Sequence, residues 1–319
     1  MKAVNLTPRF WVAFAFVLFT VLLGVIGPMI VNIDPNAVVG GLYDRPGVGG
    51  QVLGTDNEGQ SVIANLVFGT RTSLIVGLMA GIIATGIGLI IGLVAGFQGG
   101  WVDDALMGLT NVALAIPGIV VVILLSIALP SRGSFVLAVV IGITGWPWMA
   151  RAVRAQATSV RTREHIDVAR LSGARWGSVL AWDVLPYLLS YVAMAFVLQV
   201  SGAILTESAL SMLGLGPSGT VSLGTMLYWA LAWGSIRTGA WWAFLPPTIM
   251  LTLIAFSLLL LQSSLDEVFN PRLRRGKAAK RRGAGAGLAG TLATAPTSQP
   301  IDAAPESVDA GATTPGGKS

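Results

Sequence analysis

The 319-residue chain is 54% hydrophobic and only 11% charged, with a mean hydropathy of +0.74. Soluble domains carry about 25% charged residues, so a single water-soluble core is excluded and an integral membrane protein is indicated. Cysteine is absent and His165 is the only histidine, which rules out a disulfide framework, a thiolate metal site and any His-based triad. A net charge of +5 and a pI near 10.0 would suit nucleic acid. The basic residues cluster beside apolar runs, however, where membrane topology is the simpler explanation and no nucleic-acid partner is expected.

Residues 1–9 read as a short N-terminal segment carrying Lys2 and Arg9, followed by Phe10–Ile30 as a first span. At about 1.5 Å per residue that run crosses a hydrocarbon core of roughly 30 Å. A cleaved signal peptide is the alternative, but Gly27-Pro28 and Asn32 stand where a small-x-small site belongs, which favours a retained span. Residues 31–70 are polar and rich in glycine and proline, with Asp34, Asp44, Asp56 and Glu58, and form a long loop. Within it Gly54 and Gly59 read as turn residues, and Thr55 and Asp56 as caps of a short helix.

Leu74–Phe97 is the second span, where Gly88 and Gly92 make a small-xxx-small pair for close helix approach. Gly99–Asp103 is a turn with Trp101 at the interface. The third span, Ala105–Leu129, is broken at Pro117-Gly118, and the fourth, Phe135–Arg151, carries Trp146-Pro147-Trp148. Proline inside a span kinks it; packing accommodation is favoured over a role in a pathway.

The interval Arg151–Pro186 holds Arg151, Arg154, Arg161, Arg163, Arg170 and Arg175 with Glu164, Asp167 and Asp183, and something polar must meet it. Ala155–Leu171 contains no glycine or proline and reads as one helix, ended by Ser172-Gly173. A second short helix is expected over Ala174–Val184 before Pro186 opens the next apolar run. The product is a knob between two spans.

The fifth span, Leu185–Leu213, contains Gln199, Ser201, Thr206 and Glu207. An ionisable residue within a span is costly to bury unpaired, so Glu207 is a functional candidate, with a structurally paired carboxylate as the slightly favoured alternative. Gly214–Gly239 reads as an outer re-entrant or interfacial loop. The last span is Trp241–Leu261, with Trp241 and Trp242 as an aromatic belt. Residues 270–319, basic and then rich in Ala, Gly, Thr and Pro, cannot bury a core and are expected to be disordered. Six spans place both termini and the knob on one face, where sixteen of the twenty Lys and Arg residues fall, as the positive-inside rule requires. No G-x-x-x-x-G-K-[ST] occurs, so the chain carries no nucleotide site of its own.

Asp167-Val168-Ala169, Gly173 and Leu185-Pro186 resemble the EAA loop of the membrane subunits of bacterial ABC importers, with Asp167 and Val168 where Glu and Ala are usual. LGTDNEGQSVIANLVFGTRTSL, residues 53–74, resembles the LGTDxxGRDxxSRxxxGxRxSL signature of the dipeptide, oligopeptide and nickel permeases, with Gln60-Ser61 in place of Arg-Asp. GGWVD, ILTESALSMLGLGP, SLGTML and LDEVFNPRLRR are similar to further family segments, and the resemblance covers about Gly54 to Arg274.

The resemblance implies an all-α, six-span permease bundle in a bacterial plasma membrane, with both termini cytoplasmic and a permease domain over residues 71–269. The coupling loop would occupy about 155–183 and meet an ATPase through Glu164, Asp167, Ala169, Arg170, Gly173, Ala174 and Pro186. Gln199 and Glu207 are the candidates for a pathway. The implied partners are a second homologous permease, two ATPase subunits and an extracytoplasmic binding protein. ATP and Mg would reside on the ATPases, leaving this chain without a cofactor and not an enzyme. Peptide is the expected cargo, with nickel or oligosaccharide as variations. The reading of another class is a stand-alone secondary transporter or channel, which calls for several intramembrane charges; a non-transporting scaffold is the third.

Overall fold

The computed structural model describes residues 8–129 and 133–269. The expected disordered tail, Lys2 and Arg132 lie outside the described residues. The described chain is helical, and its extended pairing is limited to two isolated bridges, Val38 with Gln60 and Thr55 with Ser61.

The helices are α1 (Pro8–Ile30), α2 (Val62–Gln98), α3 (Gly100–Ala115), α4 (Gly118–Ala128), α5 (Ser134–Arg161), α6 (Glu164–Leu171), α7 (Trp176–Ser178), α8 (Leu185–Leu210), α9 (Leu223–Ala232) and α10 (Trp241–Phe269). Wider π-type turns, Val179–Val184 and Ser211–Leu215, flank α8. Four single helices and the continuous Trp176–Leu215 segment are long and apolar enough to cross a membrane, if α1, α2, α5 and α10 are taken with it. The pair α3–α4 makes a sixth crossing bent by 79°. The bend lies at Pro117, which cannot donate a backbone hydrogen bond and biases Ile116 to its extended conformation.

Several elements extend beyond the spans expected from hydropathy. Helix α2 begins at Val62 rather than Leu74, because residues 62–73 bury Val62, Ala64, Asn65, Val67, Gly69, Thr70 and Ser73 against their neighbours despite their mixed polarity. Helix α5 continues past Arg151 to Arg161 for the same reason, with Val153, Ala157 and Val160 buried. The segment expected as an interfacial loop, Gly214–Gly239, contains α9. There Ser222 accepts the Thr225 N–H and the Thr225 hydroxyl accepts the Ser222 N–H, a complete capping box.

Helix α2 is the axis of the bundle and packs on α5, α8 and α1. It runs parallel to α5, and a row of glycines on one face makes the approach possible. A Cβ at Gly88 would stand 2.6 Å from the Met149 Cβ, one at Gly92 2.5 Å from the Ala150 carbonyl oxygen, and one at Gly96 2.6 Å from the Arg154 carbonyl oxygen. Spaced four residues apart, they let backbone meet backbone where lipid offers no hydrophobic drive to association.

Polar side chains fasten the bundle at the other end of α2. Glu207 on α8 is completely buried, and its carboxylate accepts hydrogen bonds from the hydroxyls of Ser73 (2.9 Å), Ser208 (3.3 Å) and Ser211 (2.7 Å). Ser73 in turn accepts the backbone N–H of Leu223 at 3.2 Å, so one carboxylate joins α2, α8 and the start of α9.

Gly92→Val should therefore lower the unfolding midpoint of the detergent-solubilised chain, by about 1–3 kcal/mol for an overpacked core position. Gly86→Ala, with nothing within 4 Å of the added carbon, should leave it unchanged. Glu207→Ala strands the Ser73 and Ser211 hydroxyls and should cost about 1–3 kcal/mol, with Glu207→Gln retaining more of the midpoint than Glu207→Ala.

Candidate functional site

The knob stands at the end of the bundle where α2 and α5 finish. Where one helix was expected over Ala155–Leu171, the chain breaks at Thr162, whose backbone leaves helical geometry at φ −88° and ψ 11°. The cause is tertiary. Ile166 is fully buried in a cluster with Val160, Val179, Val184 and Leu188, and the chain must leave the α5 axis to seat it there. Helix α6 follows, with Glu164 and Asp167 in its first turn, where the helix dipole favours acids. Both side chains are exposed, and neither makes an ion pair among the described residues.

Gly173 closes α6 at φ +76°, with the Ala174 N–H donating to the Ala169 carbonyl at 3.2 Å. A Cβ there would meet nothing within 4 Å, so the left-handed backbone alone calls for glycine. Ala169 packs on the buried cluster. Ala174 lines a recess of about 490 Å³ with Phe97, Arg161, Trp176 and Val179. The Arg170 side chain lies outside the described residues.

Pro186 does not separate a second helix from the span, as had been expected. Trp176–Leu215 runs on as one 40-residue helical segment, with Pro186 exposed within it. The π-type turn over Val179–Val184 sits just before the proline, whose missing N–H leaves the Trp182 carbonyl without its usual donor; the widened turn accommodates that gap.

Tyr187, the next residue, was not singled out by sequence. Its ring lies 5.0 Å from that of His165, and the Arg163 guanidinium sits over it at 5.2 Å. These contacts hold α6 against the foot of α8. Two other arginines of the interval turn inward: Arg154 makes a bidentate pair with Asp103 on α3, its Nε donating at 3.0 Å, and Arg151 donates to Asn111 Oδ1 at 2.7 Å. The exposed surface of the knob mixes apolar and charged side chains, with Leu171 at 88% and Trp182 at 78% exposure and Val168 also exposed, together with Arg163, Glu164, Asp167 and Arg175.

The structure does not bring the two pathway candidates together. Gln199 donates from Nε2 to the Gly145 carbonyl at 2.9 Å and lines a cavity of about 240 Å³ between α2, α4, α5 and α8, beside Thr144, Thr206 and Gly118. Glu207 lies two turns further along α8 and faces the serines already described, not that cavity.

At the opposite end of the bundle, residues 31–61 are tied down by polar contacts. Thr55 and Asp56 cap no short helix. Thr55 Oγ1 accepts the Asp44 N–H at 2.8 Å and donates to the Gly41 carbonyl at 2.6 Å. Asp56 Oδ1 accepts the N–H groups of Glu58 and Gln60, both at 2.9 Å, and Oδ2 accepts from Asn65 at 2.9 Å. Burial raises the Asp56 carboxyl above its ordinary 3.8, against the pull of these bonds. Gly54 and Gly59 do occupy turns at positive φ, and a Cβ at Gly54 would meet the Asp44 carbonyl oxygen at 2.4 Å. Of the expected aromatic belt, Trp241 is exposed, but Trp242 is buried and donates from Nε1 to the Thr55 carbonyl at 3.0 Å. A buried indole needs such a partner, and the loop supplies it. Ser61 caps α2 without a side-chain bond, and its hydroxyl is buried and unpartnered. Among the described residues no group of three or more metal-ligating side chains comes together.

Comparison with known proteins places these features. Residues 88–275 match the family described as "Binding-protein-dependent transport system inner membrane component". The chain is 33% identical over 263 residues to the dipeptide transport system permease protein DppC of Bacillus subtilis (strain 168), covering 81% of this chain and 80% of that protein. It is 30% identical to the oligopeptide transport system permease protein OppC of the same organism, covering 83% and 86%. To OppC of Mycobacterium tuberculosis (strain ATCC 25618 / H37Rv) it is 32% identical, covering 70% and 78%. A multi-pass helical bundle with a knob at one end, matched over more than half its length, belongs to the binding-protein-dependent transport system inner membrane component family.

Proposed function

We propose that the chain is the membrane-spanning permease subunit of an ATP-driven importer, moving di- and oligopeptides handed over by an extracytoplasmic binding protein. Its partners on this reading are a second, homologous permease and two ATPase subunits, which carry ATP and Mg. Both termini and the knob face the cytoplasm, as the distribution of Lys and Arg favours.

The observation that carries the proposal is the knob itself. It pairs exposed Leu171, Val168 and Trp182 with the acids Glu164 and Asp167, and it is braced from behind by Ile166 and Tyr187. An exposed apolar patch on a short helix suits a groove in a partner protein. The chain contains no phosphate-binding loop, so the work must enter from outside. The knob is continuous with α8, and α8 contributes Gln199 to the cavity between the spans, so force applied at the knob reaches the intramembrane wall. Glu164, Asp167, Ala169, Arg170, Gly173, Ala174 and Pro186 are the positions assigned to the ATPase contact, and Gln199 is assigned to the pathway. Peptide cargo is carried over from the dipeptide and oligopeptide permeases that the chain resembles at 30–33% identity.

Asp167→Arg and Leu171→Asp alter only exposed side chains. Each should reduce co-purification of the ATPases and ATP-driven tripeptide uptake in proteoliposomes by about tenfold or more, while leaving the unfolding midpoint of the bundle in place. Gly173→Pro, which forbids the positive φ, should do the same. Uptake that continues with nucleotide withheld would overturn the proposal.

A further inference from the structure

A groove of about 660 Å³ opens between α1, α2, α8 and α10, separate from the knob and from the cavity that Gln199 lines. That volume falls in the range of about 300–1,000 Å³ typical of small-molecule sites. Along α1 the groove runs from Val17 to Met29, about 18 Å at about 1.5 Å per residue. Half of a hydrocarbon core of roughly 30 Å is about 15 Å, so the groove is as deep as one leaflet. It lies in the leaflet opposite the knob, because α2 enters it near its start, at Phe68, and leaves it at Leu78, well before its end at Gln98.

The wall is apolar except at two side chains. Thr20 donates its hydroxyl to the Val17 carbonyl at 2.9 Å and so is satisfied. The other is Arg71, which is exposed and makes no ion pair or hydrogen bond among the described residues. No carboxylate lines the groove. Helices α1 and α2 contain no Asp or Glu, the one acid of α8 is Glu207, held by its serines, and Asp266 and Glu267 of α10 lie two turns beyond Leu258. A guanidinium presents five donors and keeps its charge in proteins, so at membrane depth it calls for an anion.

The depth suits a lipid phosphate. A Cβ at Gly24 would lie 3.3 Å from the Arg71 Cα, which puts the arginine level with a residue six positions, about 9 Å, inside the end of α1 at Ile30. Side chains on a helix lean toward its N-terminus, which for α2 is the end opposite the knob, and a long arginine snorkels the same way. Both tendencies bring the guanidinium toward the headgroup layer, while the apolar wall continues below it to Val17, Val200 and Leu258. A phosphate above and an acyl chain below match that order. A partner helix would have to carry a carboxylate of its own into hydrocarbon to match the charge, whereas a lipid phosphate already sits at the surface.

We propose that this groove binds one anionic phospholipid, with its phosphodiester on the Arg71 guanidinium and an acyl chain laid between α1 and the walls of α2, α8 and α10. The planar fork of the guanidinium matches two phosphate oxygens. The bound lipid ties α1 to the bundle beside the point where Gly24 and Gly27 bring it against α2.

The test is native mass spectrometry of the full chain, released from detergent after incubation with dioleoyl phosphatidylglycerol or dioleoyl phosphatidylcholine. The anionic lipid should be retained about tenfold or more tightly than the zwitterionic one. Arg71→Gln should make the two equal, and Arg237→Gln, at an exposed arginine outside the groove, should leave the preference intact. Ile75→Trp, which fills the groove from an exposed position, should weaken both lipids several-fold without moving the unfolding midpoint. Excess inorganic phosphate should leave the bound lipid in place. Equal retention of the two lipids by the unmodified chain, a preference that survives Arg71→Gln, or retention that survives Ile75→Trp overturns the assignment. Displacement by phosphate does so too, because the headgroup alone would then account for binding. A dimer of the chain that both substitutions dissolve also overturns it, since the groove would then hold protein.

Discussion

The crossing of α2 with α5 is made at backbone distance, and the remainder of the bundle is arranged around it. Gly88, Gly92 and Gly96 leave no room for side chains between the two helices, so α5 lies along α2 for three turns with carbonyl oxygens facing glycine Cα atoms. In hydrocarbon such contacts matter more than apolar burial, because lipid solvates leucine as well as protein does. The crossing also fixes where the two helices end. Phe97 at the end of α2 and Val160 at the end of α5 supply part of the cluster into which Ile166, Val179 and Val184 settle, so the seat of the knob is set by glycines several turns away.

The other end is held by different means. There the chain uses hydroxyls and carbonyls: Glu207 with its serines, Trp242 with the Thr55 carbonyl, and Tyr43 with Ser235, whose oxygens lie 3.1 Å apart. The bonds of Glu207 with Ser73, of Trp242 with Thr55 and of Tyr43 with Ser235 join residues far apart in sequence, and each satisfies a polar group that would be expensive to leave bare near lipid. The arginines of the interval before α8 divide the same way. Arg151 and Arg154 hold α3 to α5, and Arg163 caps the Tyr187 ring, so part of what looks like a surface for a partner is internal bracing.

Much of this was readable in the residues before any coordinates. Apolar runs marked the spans because a bilayer imposes a length and a polarity that few soluble segments share. Pro117-Gly118 marked the bend of the third span, and Gly173 the end of α6, because both act locally on the backbone. What could not be read is what tertiary contact decides. Thr162 breaks a helix whose sequence has no breaker, since the cause is the burial of Ile166. Residues 62–73 look like the end of a loop because their polar members find partners on other helices, and Trp242 looks like its exposed neighbour Trp241. Ser73 meets Glu207 across 134 positions of sequence, a pairing that no local pattern encodes.

The helical run that starts at Trp176 and continues through α8 until Gly214 turns to φ +78° has a mechanical consequence. Forty helical residues at about 1.5 Å each make a rod of roughly 60 Å, and tilting such a rod by about 5° about one end displaces the other by about 5 Å. A break at Pro186 would uncouple the foot from the span; with the backbone helical through the widened turn, foot and span are one continuous helix. The proline thus sits within a lever arm that stays helical on both sides of it, from the knob into the span.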